Sequence, residues 1–423
     1  MGGNVSIALA AHAWRLAFCA ALGLTAVSCG GGSNSGGTLA AAGSSGGSTS
    51  TSTPVGNVVS IVVDAGPTST SPDVNTLFTT VTVCVPGSTT SCQTIDHIQV
   101  DTASYGLRLI ASVLTLSLQA QAAPNGGSLL ECTQFVDGYS WGPVALVDVQ
   151  IGSESASSVP VQIIGDTGFA TVPADCSSVG TAEDSVATFG ANGILGVGVF
   201  AQDCGTGCAN TVDNGSYYAC ASSTQCQPTT VALANQVPNP IELFATDNNG
   251  VIIQLPSVAA QGAATVTGSM IFGVDTQTNN KSGTQTVVTL DPNDGEFTTV
   301  LNGTSLSQSF FDTGSNGLYF NDTSLAQCTD SNFDEFYCPA STQNLSAVLQ
   351  GQNAASVTLD FSVDNAETLE NNNPSFVAFA TLAGTYPTAG SFDWGLPFYY
   401  GRTVYTVMEN ATTTVGTGPY VAF

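Results

Sequence analysis

Two seven-residue segments of this chain share one pattern. Asp101-Thr102-Ala103-Ser104-Tyr105-Gly106-Leu107 and Asp312-Thr313-Gly314-Ser315-Asn316-Gly317-Leu318 begin 211 residues apart. Each follows an apolar stretch, Ile98-Gln99-Val100 in the first case and Phe310-Phe311 in the second. A single copy reads as a strand-to-loop turn, with Asp and Ser bonding the local backbone and Gly taking positive φ. Two copies, one per half of the chain, permit different chemistry. Two like carboxyls brought to one interface cannot both ionise cheaply, so they share a proton. One can then act as base and the other as acid toward a bound water. That chemistry needs neither histidine nor metal.

Composition narrows the alternatives. The 423 residues include 31 Asp+Glu against 4 Lys+Arg, a formal net charge of −27. Arg15, Arg108, Lys281 and Arg402 cannot build a basic patch, so nucleic-acid binding and a polybasic membrane-surface mode are excluded. The only histidines are His12 and His97, which removes a His-rich zinc site; a Ser-His-Asp or Cys-His enzyme would have to rest on His97 alone. No cofactor and no metal are expected. A base-poor chain also suits an acidic working range, because it has few cation pairs to lose when its acids protonate.

The N-terminus reads as an address. Residues 1–28 resemble a signal peptide, with 12 apolar residues from Leu16 to Val27, too short a run to span a bilayer. Ala26-Val27-Ser28-Cys29 resembles a bacterial lipobox, with Cys29 lipidated. The expected location is the cell envelope, lipid-anchored at the outer membrane or cell surface, or else secreted. Residues 29–56 form a Gly/Ser/Thr-rich linker. Setting aside Cys19 and Cys29, 10 of the 12 cysteines remain, in local groups: Cys84/Cys92, Cys132/Cys176, Cys204/Cys208/Cys220/Cys226 and Cys328/Cys338. Five disulfides are the simplest reading in an oxidising compartment. Connectivity within the four-cysteine group stays open, and zinc is the alternative there.

From residue 57 onward, short β-branched runs alternate with Gly, Pro, Asn and Asp. Strands are expected at Asn57–Asp64, Leu77–Val85, Ile95–Val100, Val144–Ile151, Val159–Ile164, Ile252–Leu255, Ser269–Gly273, Thr286–Leu290 and Phe297–Leu301. Helix is expected around Leu109–Gln121, with short turns near Ser324–Gln327 and Leu345–Leu349. Gln134-Phe135-Val136-Asp137-Gly138-Tyr139-Ser140-Trp141 carries Asp-Gly between β-favouring residues, a hairpin signal.

Taken together, these features resemble a pepsin-like aspartic peptidase over roughly residues 57–423, in a bacterial, exported branch. The family's Asp-Thr-Gly-Ser signature stands unchanged at Asp312–Ser315. Asn192-Gly193-Ile194-Leu195-Gly196-Val197-Gly198 resembles the apolar-apolar-Gly element that supports the first aspartate. Gly268–Asp275 resembles the strand entering the C-terminal lobe, and Trp394-Gly395-Leu396-Pro397-Phe398 onward resembles the closing segment. The resemblance implies an all-β, bilobal fold, with an N-terminal lobe over 57–235, a C-terminal lobe over 236–423 and a cleft between them. It implies that Asp101 and Asp312 hold the catalytic water, that Thr102 and Thr313 bond across the lobe interface, and that Ser104 and Ser315 bond the outer carboxylate oxygens. The flap would come from the 134–141 hairpin, with Phe135, Asp137, Gly138 and Tyr139 as candidates. Peptide or protein would be the substrate, and the protein would act as a monomer that meets the membrane only through its lipid anchor.

Ala103 departs from the pattern, standing where the second copy has Gly314. Its methyl must fit beside the aspartate, and a left-handed backbone there would be strained, though the amide N–H remains. Arg108 reads as a solvent-facing or ion-paired strand residue, and His97 as structural. Two other readings compete with the peptidase. One is a catalytically weak or inactive peptide- or glycan-binding surface lipoprotein with the same cleft. The other is a β-sandwich lipoprotein whose two motifs are only turns.

Overall fold

A computed structural model of the chain describes residues 56–67, 73–136 and 138–423. The signal peptide, Cys29 and the flap candidate Asp137 lie outside the described residues.

The fold is all-β and two-lobed, with a 16-stranded sheet and a 7-stranded sheet. Period-two alternation accounts for the strands: Phe297–Leu301 buries Phe297, Thr299 and Leu301 and leaves the residues between them half-buried. The first strand, Val58–Val63, pairs with Leu77–Cys84 on one side and, antiparallel, with Val266–Phe272 on the other. The larger sheet therefore continues from the first half of the chain into the second.

The two motifs occupy equivalent places. Cys92–Asp101 runs parallel to Gly193–Val197, with Asp101 beside Gly196. Gly193–Val197 in turn pairs antiparallel with Tyr105–Ile110. In the second half, Thr304–Phe311 runs parallel to Ser391–Trp394, which pairs antiparallel with Leu318–Phe320. Each Asp-Thr loop thus leaves one strand and returns on the far side of a third strand that passes between. Close approach there requires glycine. A Cβ on Gly196 would lie 2.4 Å from the Tyr105 nitrogen, and one on Gly395 would lie 2.0 Å from the Gly317 carbonyl.

One large apolar core runs behind both loops and includes Val100, Leu107 and Leu195 with Phe311, Phe320 and Trp394. Phe392 stacks on both Phe320 and Trp394, with ring centroids 4.7 and 4.1 Å apart.

The cysteines form five disulfides, and the open group resolves into Cys204–Cys208 and Cys220–Cys226. The other three pairs are Cys84–Cys92, Cys132–Cys176 and Cys328–Cys338. Among the described residues, no helix is long and apolar enough to cross a membrane.

Two local expectations are corrected. Residues 109–121 are not helical: a strand runs to Ile110, a single 3-10 turn spans Ala111–Val113, and an extended segment follows. Leu114, Leu116 and Leu118 are half-buried while Thr115 and Ser117 are exposed, a period of two rather than 3.6. Leu345–Leu349 is not a turn but the middle of the strand Gln343–Gln350, paired on both sides.

Candidate active site

Asp101 ends the strand Cys92–Asp101, and Asp312 directly follows Thr304–Phe311. Both side chains are wholly buried. The loops that carry them are locked to each other by reciprocal bonds. The Thr102 amide donates to Thr313 Oγ1 (3.1 Å) and the Thr313 amide donates to Thr102 Oγ1 (3.0 Å). Each hydroxyl then donates onward across the interface, Thr313 to the Val100 carbonyl (2.7 Å) and Thr102 to the Phe311 carbonyl (3.2 Å). The Tyr399 hydroxyl lies 2.9 Å from Thr102 Oγ1.

The carboxyls lie within hydrogen-bonding reach of each other. Asp101 Oδ1 accepts from the amides of Ala103 (2.7 Å) and Ser104 (3.2 Å), while the buried Oδ2 accepts from no donor. Asp312 Oδ1 accepts from the Gly314 amide (2.6 Å) and Oδ2 from the Ser315 hydroxyl (2.8 Å). Both serines act on their aspartates: Ser315 through its hydroxyl, and Ser104 through its amide with its hydroxyl also favouring the Asp101 carboxylate.

Burial dominates the electrostatics. It raises the pKa of Asp101, opposed chiefly by hydrogen bonding to Asp312. Asp312 is held well above the ordinary carboxyl range by burial, then by the charges of Asp101 and Asp393. Two acceptors face to face can bond only if one carries a proton, so the pair shares one.

The strain expected at Ala103 is absent. Its φ is not positive, so the methyl meets no left-handed penalty, and the amide still donates to Asp101. Ala103 is half-buried and faces the cleft.

That cleft, about 710 Å³, is lined by Thr102 and Ala103 and by two edge-on aromatic pairs, Tyr105 with Phe200 and Phe310 with Tyr386. Glu242, Asp294, Glu296 and Glu409 line it, and no lysine or arginine does. Burial, with help from Asp294 and Asp291, pushes Glu296 up to about 7.

The 134–141 segment is a hairpin: Gln134 pairs with Tyr139, and the Phe135 amide donates to the Gly138 carbonyl (2.8 Å). None of its described residues lines the cleft. Phe135 turns inward, edge-on to Phe189, in a buried cluster with Phe78, Ile110, Ile164 and Ile194. Tyr139 is half-buried against the cluster around Trp141 and Cys132. Gly138 lies beside Thr181, where a Cβ would approach the Thr181 carbonyl to 2.5 Å.

Arg108 does not face solvent. It is 2% exposed, and donates to Glu131 Oε1 (2.5 Å), Asp203 Oδ2 (3.3 Å), Thr133 Oγ1 (2.9 Å) and the Tyr105 carbonyl (2.6 Å). It therefore ties the first Asp-Thr loop to the hairpin strand Ser128–Gln134 and is not among the main groups acting on either aspartate. His97 lies between Asp64 and Asp96, at 3.3 and 3.5 Å, edge-on to Phe78.

Three residues that bond the motif loops, and one buried carboxyl, escaped the sequence reading. Gln99 donates to the Gly314 carbonyl (3.1 Å). Asn75 donates to the Asn316 carbonyl (2.7 Å) and accepts from the Phe379 amide and the Tyr400 hydroxyl. Tyr399 meets Thr102, and Asp393 is a buried third carboxyl. Only Gln99 carried a signal, as a polar residue inside the apolar run before Asp101.

The crystal structure of the aspartic proteinase from Irpex lacteus is similar to this chain at 16% identity and a TM-score of 0.47, over 86% of this chain and 96% of that one. No curated protein matches the sequence. A family model described as "Protein of unknown function (DUF3443)" matches residues 53–423, and the chain belongs to that family.

Proposed function

We propose that this protein is an exported aspartic endopeptidase that hydrolyses peptide bonds with a water activated between Asp101 and Asp312. One observation carries the reading: the two motif aspartates meet face to face at the lobe interface, held by mutual threonine bonds. One carboxyl, ionised, takes a proton from water as base; the other, protonated, gives its proton to the substrate carbonyl as acid. Attack gives a tetrahedral intermediate without an acyl-enzyme, so no nucleophilic side chain is needed. Five disulfides support an oxidising compartment outside the cytoplasm, and a lipid on Cys29 would tether the protein through residues 29–56.

The catalytically inactive binding protein is kept as a second reading because both carboxyls are wholly buried and the hairpin does not line the cleft. Hydrolysis of an unstructured protein mixture, from acidic to neutral pH, separates the two. The peptidase reading requires cleavage that pepstatin removes and that Asp312→Asn abolishes. Absence of cleavage by folded, disulfide-bonded protein at every pH would leave the binding reading.

A further inference from the structure

Two side-chain amides from the first half of the chain reach into the loop that carries Asp312, and the mechanism above does not use them. Gln99 lies on Cys92–Asp101, two residues before Asp101, and its Nε2 donates to the Gly314 carbonyl (3.1 Å). Asn75 Nδ2 donates to the Asn316 carbonyl (2.7 Å) and to the Phe379 carbonyl (2.8 Å). Its Oδ1 accepts from the Phe379 amide (2.7 Å) and the Tyr400 hydroxyl (2.9 Å). Between these two grips, the Ser315 carbonyl accepts from the Leu396 amide (2.8 Å). Three successive carbonyls of the loop are therefore held, the outer two by side chains of the other half.

The residues held in this way include those that hold the carboxyl. The Gly314 amide donates to Asp312 Oδ1 (2.6 Å) and the Ser315 hydroxyl to Oδ2 (2.8 Å). Pinning the backbone from Gly314 to Asn316 keeps both donors aimed at Asp312. The arrangement is not reciprocal. The position equivalent to Gln99 in the second copy is Phe310, which has no donor to send back. The carbonyls of Ser104 and Tyr105, which follow Asp101, are held from within their own half, by the Gly198 amide (3.0 Å) and by Arg108 (2.6 Å). Gln99 is wholly buried, and its Oε1 accepts from no donor. An unpaired buried acceptor costs stability, so what this side chain contributes is the bond it donates to Gly314.

We propose that Gln99, together with Asn75, is a positioning residue for Asp312: side chains of the first half hold the backbone of the second aspartate loop and so fix the donors on its carboxyl. The effect on turnover rests on the peptidase reading above. Neither residue lines the cleft, so neither touches bound peptide there. Loss of the Gln99 bond lets the Gly314 amide drift from Asp312 while leaving the cleft wall in place. Misplacement of a reacting group lowers the rate of the chemical step far more than it weakens binding.

The test compares the wild type, Gln99→Met and Gln99→Glu by steady-state kinetics and by glycine-selective amide NMR. Methionine keeps the length and removes the donor; a buried glutamic acid without a cation stays protonated and keeps one. Gln99→Met should lower kcat roughly tenfold or more and change KM by less than about twofold. Its Gly314 amide signal should move, while that of Gly198, which holds the first loop, stays. Gln99→Glu should recover most of kcat and the Gly314 signal. A packing role alone would lower Tm and leave kcat and the Gly314 signal unchanged, and that result in folded Gln99→Met overturns the inference while the peptidase reading stands. If no form hydrolyses peptide, the peptidase reading fails and the glycine signals decide alone, an unmoved Gly314 again refuting the inference. If Gln99→Met does not fold, Gln99→Glu decides: lost turnover with a displaced Gly314 signal, despite the retained donor, overturns it.

Discussion

Arg108→Met should be strongly destabilising near neutral pH and much less so in acid. Methionine keeps most of the apolar stem but removes the only cation facing Glu131 and Asp203. Both carboxyls are buried, and Asp203 is already raised well above its ordinary value, by burial first and then by Glu131, with Arg108 opposing. Without the guanidinium, the cheapest relief is for another carboxyl to take up a proton. From an ordinary pKa near 4, that costs about 1.4 kcal/mol per pH unit, or about 4 kcal/mol at pH 7. The lost bonds to Thr133 and the Tyr105 carbonyl add about 1 kcal/mol each at any pH. The sign follows from linkage: a carboxyl whose folded pKa is raised destabilises the fold increasingly as pH rises above its unfolded value. The expected loss is therefore roughly 4–6 kcal/mol at pH 7 and roughly 2 kcal/mol near pH 4. Urea unfolding of both proteins at the two pH values measures it. Equal losses at both would refute the buried-charge reasoning, since packing and neutral hydrogen bonds do not depend on pH.

Thr313→Val removes the acceptor for the Thr102 amide and the donor to the Val100 carbonyl, both buried. It should cost roughly 2–4 kcal/mol in chemical unfolding and reduce kcat more than it raises KM, because the loop that fixes Asp312 loses its partner. Ala103→Gly should leave kcat/KM unchanged and lower stability by about 0.4–1 kcal/mol through unfolded-chain entropy, since Ala103 has no positive φ to relieve. A large activity change in that variant would show that the methyl shapes the cleft.

Much of the fold was legible because its signals are local. Period-two alternation marked Phe297–Leu301 and Leu77–Cys84, and cysteine proximity marked the Cys84–Cys92 and Cys328–Cys338 loops. The same alternation is present in Leu114-Thr115-Leu116-Ser117-Leu118, and the extended segment there follows it rather than a helical period. Leu345–Leu349 became a strand because neighbours on both sides supply its hydrogen bonds, which no local feature records.

The two aspartates were visible as a pair because the duplicated motif repeats their chemistry along the chain. What the motif could not contain was the environment that sets their charge. Arg108 and Glu131 are 23 residues apart, and Arg108 and Asp203 are 95 apart, so nothing local distinguishes the buried triad from exposed charges. Asp393 lies just before the segment that resembles the closing strand, and only the parallel register sets it beside Phe310 on the strand that leads to Asp312. Residue types and their repetition therefore determined which carboxyls could share a proton. Tertiary structure alone decided how deeply they are buried and which neighbour each one senses. Those quantities depend on distance and desolvation between strands, and sequence separation does not encode them.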